Sequence, residues 1–107
     1  MTKRRLLQEV KRRLVEGFHP EMIILFGSQA RGRADRRSDV DLLVICAGAD
    51  RRRAELQLQM DRALRGLRLA RDIVLLTPAE FERDREIPGT IARPAWREGK
   101  ILYEHAA

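Results

Sequence analysis

Residues 22–45, MIILFGSQARGRADRRSDVDLLVI, decide how the rest of the chain is read. The stretch opens on five apolar residues, Met22 to Phe26, a run of strand length that suits a strand covered on both faces. Gly27 and Ser28 break it, and a short helical turn through Ala30 is expected to follow. Residues 32–38 (GRADRRS) are polar and loop-like. Asp39 to Ile45 (DVDLLVI) then reads as a second strand, entered through carboxylates and left through apolar side chains. About a dozen residues separate the two runs, too many for a tight hairpin.

Three features of this region and its surroundings carry chemistry. A glycine directly after a buried strand lets the backbone approach a ligand closely, and the N–H groups of a following turn can point at an anion. Gly27-Ser28 has that placement, although Gly-Ser after a strand is more often an ordinary turn, and the spacing of a Walker loop is absent. Asp39 and Asp41 stand at i and i+2 of one strand, so both carboxylates project from the same face, about 7 Å apart. Two like charges so held repel, and a divalent cation would compensate them; hard oxygen donors favour Mg²⁺. The bland alternative is equally open at this point: Asp39 caps the loop and Asp41 pairs with one of the many arginines. Asp72 heads a third apolar run, Asp72 to Leu76 (DIVLL), and could be a strand-edge charge paired with Arg71 or Arg68. If the third strand lies beside the second, Asp72 could reach the same face. Three carboxylates around two ions then form a clamp for in-line phosphoryl or nucleotidyl transfer.

Outward from this centre the periodicity changes. Residues 2–16 repeat Leu6, Val10 and Leu14 on one face with Leu7 beside them, a helix capped by Thr2 and ended by Gly17. Arg51 to Leu67 is a second long helix with Leu56, Met60, Ala63, Leu64 and Leu67 as its buried stripe, which is core rather than a cofactor box. Thr77-Pro78-Ala79-Glu80 is a capping box opening a third helix. Pro88-Gly89 marks a turn, a last short helix ends at Gly99, and Ile101-Leu102-Tyr103 reads as a final edge strand. The order is α-β-β-α-β-α-α-β. An α/β (α+β) fold with one mixed sheet of about four strands and helices packed on it is the economical architecture.

At 107 residues the chain is expected to form one domain, residues 1–107. Hydrophobic residues make up 44% and charged residues 36%, the mix of a globular chain. One cysteine cannot form an internal disulfide, and Cys46 fits a small buried thiol. No run approaches the roughly 18 apolar residues of a membrane span. The basic N-terminus precedes no apolar block, so no secretory signal is read and the cytoplasm is the expected location. The net charge of +6 invites nucleic acid. Arginines scattered beside acids, with few and dispersed aromatics, argue against direct nucleic-acid binding. His19 and His105 are isolated and read as surface residues.

Gly27-Ser28-Gln29-Ala30-Arg31-Gly32 followed by Ser38-Asp39-Val40-Asp41-Leu42-Leu43-Val44 resembles the minimal nucleotidyltransferase domains of the polymerase-beta-like superfamily, whose pattern is GSxARG, a short polar loop, then SDxDLxV. The composite is far more specific than its parts. The resemblance extends over most of the chain, to the C-terminal Glu98-Gly99 and Leu102-Tyr103-Glu104. It implies that Gly27, Ser28 and Ser38 help hold the nucleotide phosphates and that Asp39 and Asp41 bind metal, with two Mg²⁺ ions and ATP as substrate. It implies Asp72 as the third carboxylate and base, and Arg31 as the guanidinium that stabilises triphosphate charge.

Many such small proteins are antitoxins that silence a helical partner of the HEPN ribonuclease class by binding it and adenylylating a tyrosine. The resemblance therefore implies a protein adenylyltransferase with a HEPN-type toxin as partner. Two alternatives stand beside it: a binding module that inhibits by occlusion alone, and a small-molecule nucleotidyltransferase of the aminoglycoside-modifying kind. At this length the acceptor site is expected to be shared with a partner or a second copy. The segment from residue 87 to 103 carries Ile87, Ile91, Trp96 and Ile101, more apolar surface than such a segment normally hides, and part of it is expected to be an interface.

Overall fold

A computed structural model describes residues 2–27 and 40–105. The turn expected after Gly27, the loop at 32–38, and Ser28, Arg31, Ser38 and Asp39 lie outside the described residues. Eight elements follow in the expected order: α1 (Lys3–Phe18), β1 (Met22–Phe26), β2 (Val40–Ile45), α2 (Arg53–Ala63), β3 (Arg71–Leu76), α3 (Pro78–Asp84), α4 (Ala92–Glu98) and β4 (Lys100–Glu104).

The four strands form one mixed sheet in the order β3-β2-β1-β4. β1 runs antiparallel to both β2 and β4, whereas β2 and β3 are parallel, joined by a crossover through α2. The apolar run read as covered on both faces, β1, is a central strand, with β2 beside it as the other. Side chains alternate across them. Ile23, Leu25, Val40, Leu42 and Val44 pack with Val10 and Leu14 of α1 and Met60 of α2. Ile24, Leu43 and Ile45 pack with Phe81 of α3 and with Ala92 and Ala95 of α4. The fold is thus an α/β sheet with helices on both faces. No helix among the described residues is long and apolar enough to cross a membrane.

Two helix ends differ from the sequence expectation. Thr2 caps α1 as expected, its hydroxyl accepting from the Arg5 N–H at 3.2 Å. Gly17 does not end it; the helix continues to Phe18, whose ring packs against the core, and closes at His19 in the left-handed region (φ 50°). The His19 N–H donates to the Val15 carbonyl at 3.0 Å, and Pro20 prevents a further turn. Burial of Phe18 outweighs the modest cost of one glycine in a helix, roughly 1 kcal/mol. α2 is shorter than its apolar stripe. Its last residues tighten into i→i−3 bonds, Arg65 N–H to Arg62 O and Leu67 N–H to Leu64 O, and Gly66 (φ 91°) turns the chain out. Met60 and Leu64 are fully buried all the same.

Candidate functional site

One end of the sheet gathers the chemistry. β1 leaves the sheet there, while β2 and β3 both enter it. The register sets Phe26 opposite Asp41 and Asp41 opposite Asp72. Directly opposed residues share a face, so Asp41 and Asp72 project together on the α3/α4 side. Asp41 is half-buried and Asp72 exposed. No hydrogen bond or ion pair ties the Asp72 carboxylate among the described residues. Arg71, one candidate partner, donates instead to the carbonyls of Leu69 (3.0 Å) and Asp61 (3.4 Å).

Gly27 completes the described part of the site. It adopts φ +78°, a region L side chains rarely enter, and a Cβ there would overlap Oδ2 of Asp41 and lie 3.3 Å from its Cγ. The Asp41 carboxylate is therefore seated against the backbone turn that leads into Ser28. Of the residues singled out in the sequence, the structure brings Gly27, Asp41 and Asp72 to one sheet end; Ser28, Arg31, Ser38 and Asp39 lie outside the described residues.

The donor chemistry suits a hard divalent cation. Two carboxylates lie side by side on adjacent strands, with a glycine turn beside one of them, and Mg²⁺ is typically held by one or two carboxylates plus phosphate oxygens. Among the described residues no group of three or more metal-binding side chains converges. Asp39 stands one residue before Val40, outside them.

Sequence reasoning gave Gly99 no role beyond ending a helix. The structure gives it one: a Cβ there would come within 2.6 Å of Ile24 Cγ2 and 2.9 Å of the Leu25 carbonyl. The end of α4 thus docks directly on β1, close to the strand's exit. The signals available were a glycine following a short helix and its place in the Glu98-Gly99 pair of the family resemblance.

At the opposite end of β2, Cys46 is buried, and burial together with the nearby Glu21 charge raises its thiol pKa. It is a packing residue, not a nucleophile. His19 and His105 are exposed.

Residues 3–100 match the family described as nucleotidyltransferase domain. The chain belongs to that family. Its fold is similar to that of a protein from Sulfolobus solfataricus provisionally named a nucleotidyltransferase, with a TM-score of 0.64 and 22% identity over 94% of this chain and 79% of that one. A structure of a toxin–antitoxin with AMP-PNP is also similar, with a TM-score of 0.55 and 23% identity over 92% of this chain and 73% of that one. At these identities the two likenesses establish the nucleotidyltransferase fold. No curated protein matches the chain.

Proposed function

We propose that residues 1–107 form a single metal-dependent nucleotidyltransferase domain that transfers AMP from ATP to a hydroxyl of a partner protein, a helical toxin of the HEPN class. The observation that carries the reading is the register that sets Asp41 beside Asp72, next to the Gly27 turn, within a nucleotidyltransferase domain. Asp39 and Asp41 hold Mg²⁺, with Asp72 as the third ligand. Bound Mg²⁺ supplies charge neutralisation of the triphosphate and of the leaving pyrophosphate.

The chain's own groups do the rest. The turn at Gly27 and Ser28, with Ser38, holds the phosphates, and Arg31 pairs with their oxygens. Asp72 accepts the proton of the acceptor hydroxyl as that oxygen bonds to the α-phosphorus. The bond from the α-phosphorus to its bridging oxygen breaks, and pyrophosphate leaves with the electron pair. A tyrosine is the expected acceptor. The similarity to a toxin–antitoxin structure crystallised with AMP-PNP supports both the nucleotide and the kind of partner. The cytoplasm supplies ATP and Mg²⁺ together.

The test is direct. The product of the adjacent reading frame is incubated with this chain, ATP and Mg²⁺, and its intact mass is measured. An increase by one or more AMP units is expected. A stable complex without mass change, where ATP demonstrably binds, would establish inhibition by occlusion alone.

A further inference from the structure

We propose that Gly27 is a positioning residue for Asp41: its missing side chain is the space in which the Asp41 carboxylate sits, at the exit of β1. The inference rests on the metal-binding reading of Asp41 for its consequence, though not for its steric part.

The glycines of the chain separate into kinds. At Gly48, Gly66 and Gly89 φ is positive, yet an added Cβ would meet nothing within 4 Å. Backbone conformation alone explains them. Gly27 has the same kind of φ, +78°, but its Cβ position is filled by Oδ2 of Asp41, with Cγ at 3.3 Å and the Asp41 Cβ at 3.6 Å. Any L residue here meets two obstacles, an unfavourable φ and a carboxylate.

The direction of that carboxylate matters because of its other neighbour. Asp41 lies between Phe26 on β1 and Asp72 on β3. Like charges on adjacent strands repel, and the seat beside Gly27 is a position for the Asp41 carboxylate on the β1 side of its strand. A methyl group at position 27 fills that seat and displaces the carboxylate. A metal ligand then leaves its place. The same glycine that opens the turn toward the phosphates thereby sets the place of the Asp41 carboxylate.

A double-mutant cycle separates the two obstacles. Gly27→Ala, Asp41→Ala and the double variant are unfolded by denaturant without metal, and Mn²⁺ binding is followed by electron paramagnetic resonance. Backbone strain is common to both backgrounds; the clash exists only where Asp41 is present. Gly27→Ala is expected to raise the unfolding constant about tenfold more in the native background than in Asp41→Ala. It is also expected to weaken Mn²⁺ binding at least tenfold. If Gly27→Ala alone does not fold, its rescue by Asp41→Ala is the same result in stronger form. Equal effects in both backgrounds would overturn the proposal, leaving Gly27 a backbone residue only. Coupling with unaltered Mn²⁺ binding overturns its consequence for the metal. Native protein whose Mn²⁺ binding does not respond to Asp41→Ala refutes the metal reading itself, while the steric coupling stands.

Discussion

Asp72 is the second residue of β3, with no ion pair among the described residues, beside a second carboxylate on the neighbouring strand. Two consequences follow from that placement. Asp72→Asn is expected to keep nucleotide binding but to slow transfer by roughly two to four orders of magnitude, the usual range for a lost general base. Because the change removes one of two facing charges, the metal-free variant should also melt slightly higher than the native protein. Asp39→Asn combined with Asp41→Asn should instead abolish the stabilisation by Mg²⁺ and ATP, which amounts to about 2.7 kcal/mol at a hundredfold excess over the dissociation constant. Single-turnover kinetics and melting curves with and without nucleotide check both, and an undiminished nucleotide response in the double variant would dismiss the metal assignment. At this scale a glycine at a strand's exit announced the turn found at Gly27, whereas the shared face read for Asp39 and Asp41 involves Asp39, outside the described residues. The seating of Asp41 against Gly27 was not legible, because it depends on two strands lying side by side. Nor was the alignment of Asp72, which only the pairing of β2 with β3 creates.

Helix α3 shows how local chemistry ties elements together. The Thr77 N–H donates to Glu80 Oε1 at 2.9 Å, and the Glu80 N–H donates to Thr77 Oγ1 at 3.0 Å, the capping box read from the sequence. The same Glu80 oxygen accepts from Arg53 of α2 at 2.7 Å, a link between helices that no local motif announces. The Thr77 N–H first, and Arg53 second, hold the Glu80 carboxyl below its ordinary range. A lowered folded pKa means stability that is present above the unfolded value, about 4.3, and lost as pH falls through the folded one. Glu80→Gln should therefore cost about 1 kcal/mol at pH 7. The gap to the native protein should be smaller at about pH 3, since it narrows as pH falls below the unfolded value of about 4.3. Urea midpoints at the two pH values measure it; a constant gap would assign the effect to shape rather than charge. Helix bodies were legible from their stripes. The caps at Thr2 and Thr77 were legible too, but the C-terminal ends of α1 and α2 were not, since Phe18 gains by packing and the i→i−3 bonds after Ala63 answer to tertiary contacts.

At the scale of the whole molecule, several of the described arginines are paired with nearby acids. Arg12 and Arg13 meet Glu9, Arg12 meets Glu16, Arg52 meets Glu55, and Arg85 meets Glu82. Arg12 and then Arg13 lower the Glu9 pKa to about 2. Such pairs are solvated and individually worth little, and they fit the reading of scattered arginines as surface chemistry. Among the described residues the exposed large apolar side chains, apart from Leu58 on α2, fall late in the chain: Ile87, Ile91, Trp96 and Ile101 are 45%, 44%, 37% and 48% exposed. Trp96 stands edge-on to Phe81 at 5.7 Å between ring centroids, with the Arg85 guanidinium over it at 4.7 Å. A stable interface needs about 800 Å² per partner. Ile91→Glu, at the N-terminal cap of α4 where an acid is tolerated, should weaken the complex with the helical partner about tenfold and leave the melting temperature nearly unchanged. Calorimetric titration decides it, and unaltered affinity would move the interface elsewhere.

The alignment of β2 with β3 also acts as a safeguard on assembly. Side chains in a strand alternate with a period of two. Threading β3 one position out of place would bring Ile73 opposite Asp41 and drive Asp72 into the apolar layer beneath α1 and α2. An unpaired charge buried there costs several kcal/mol, a large part of the total stability of a domain this small. A slip of two positions would spare the layer but carry Asp72 about 7 Å away from Asp41. The commonest threading error is thus penalised by the very residue whose placement it would spoil. A chain threaded one position out of place is therefore expected to unfold rather than to persist as a folded, inactive copy.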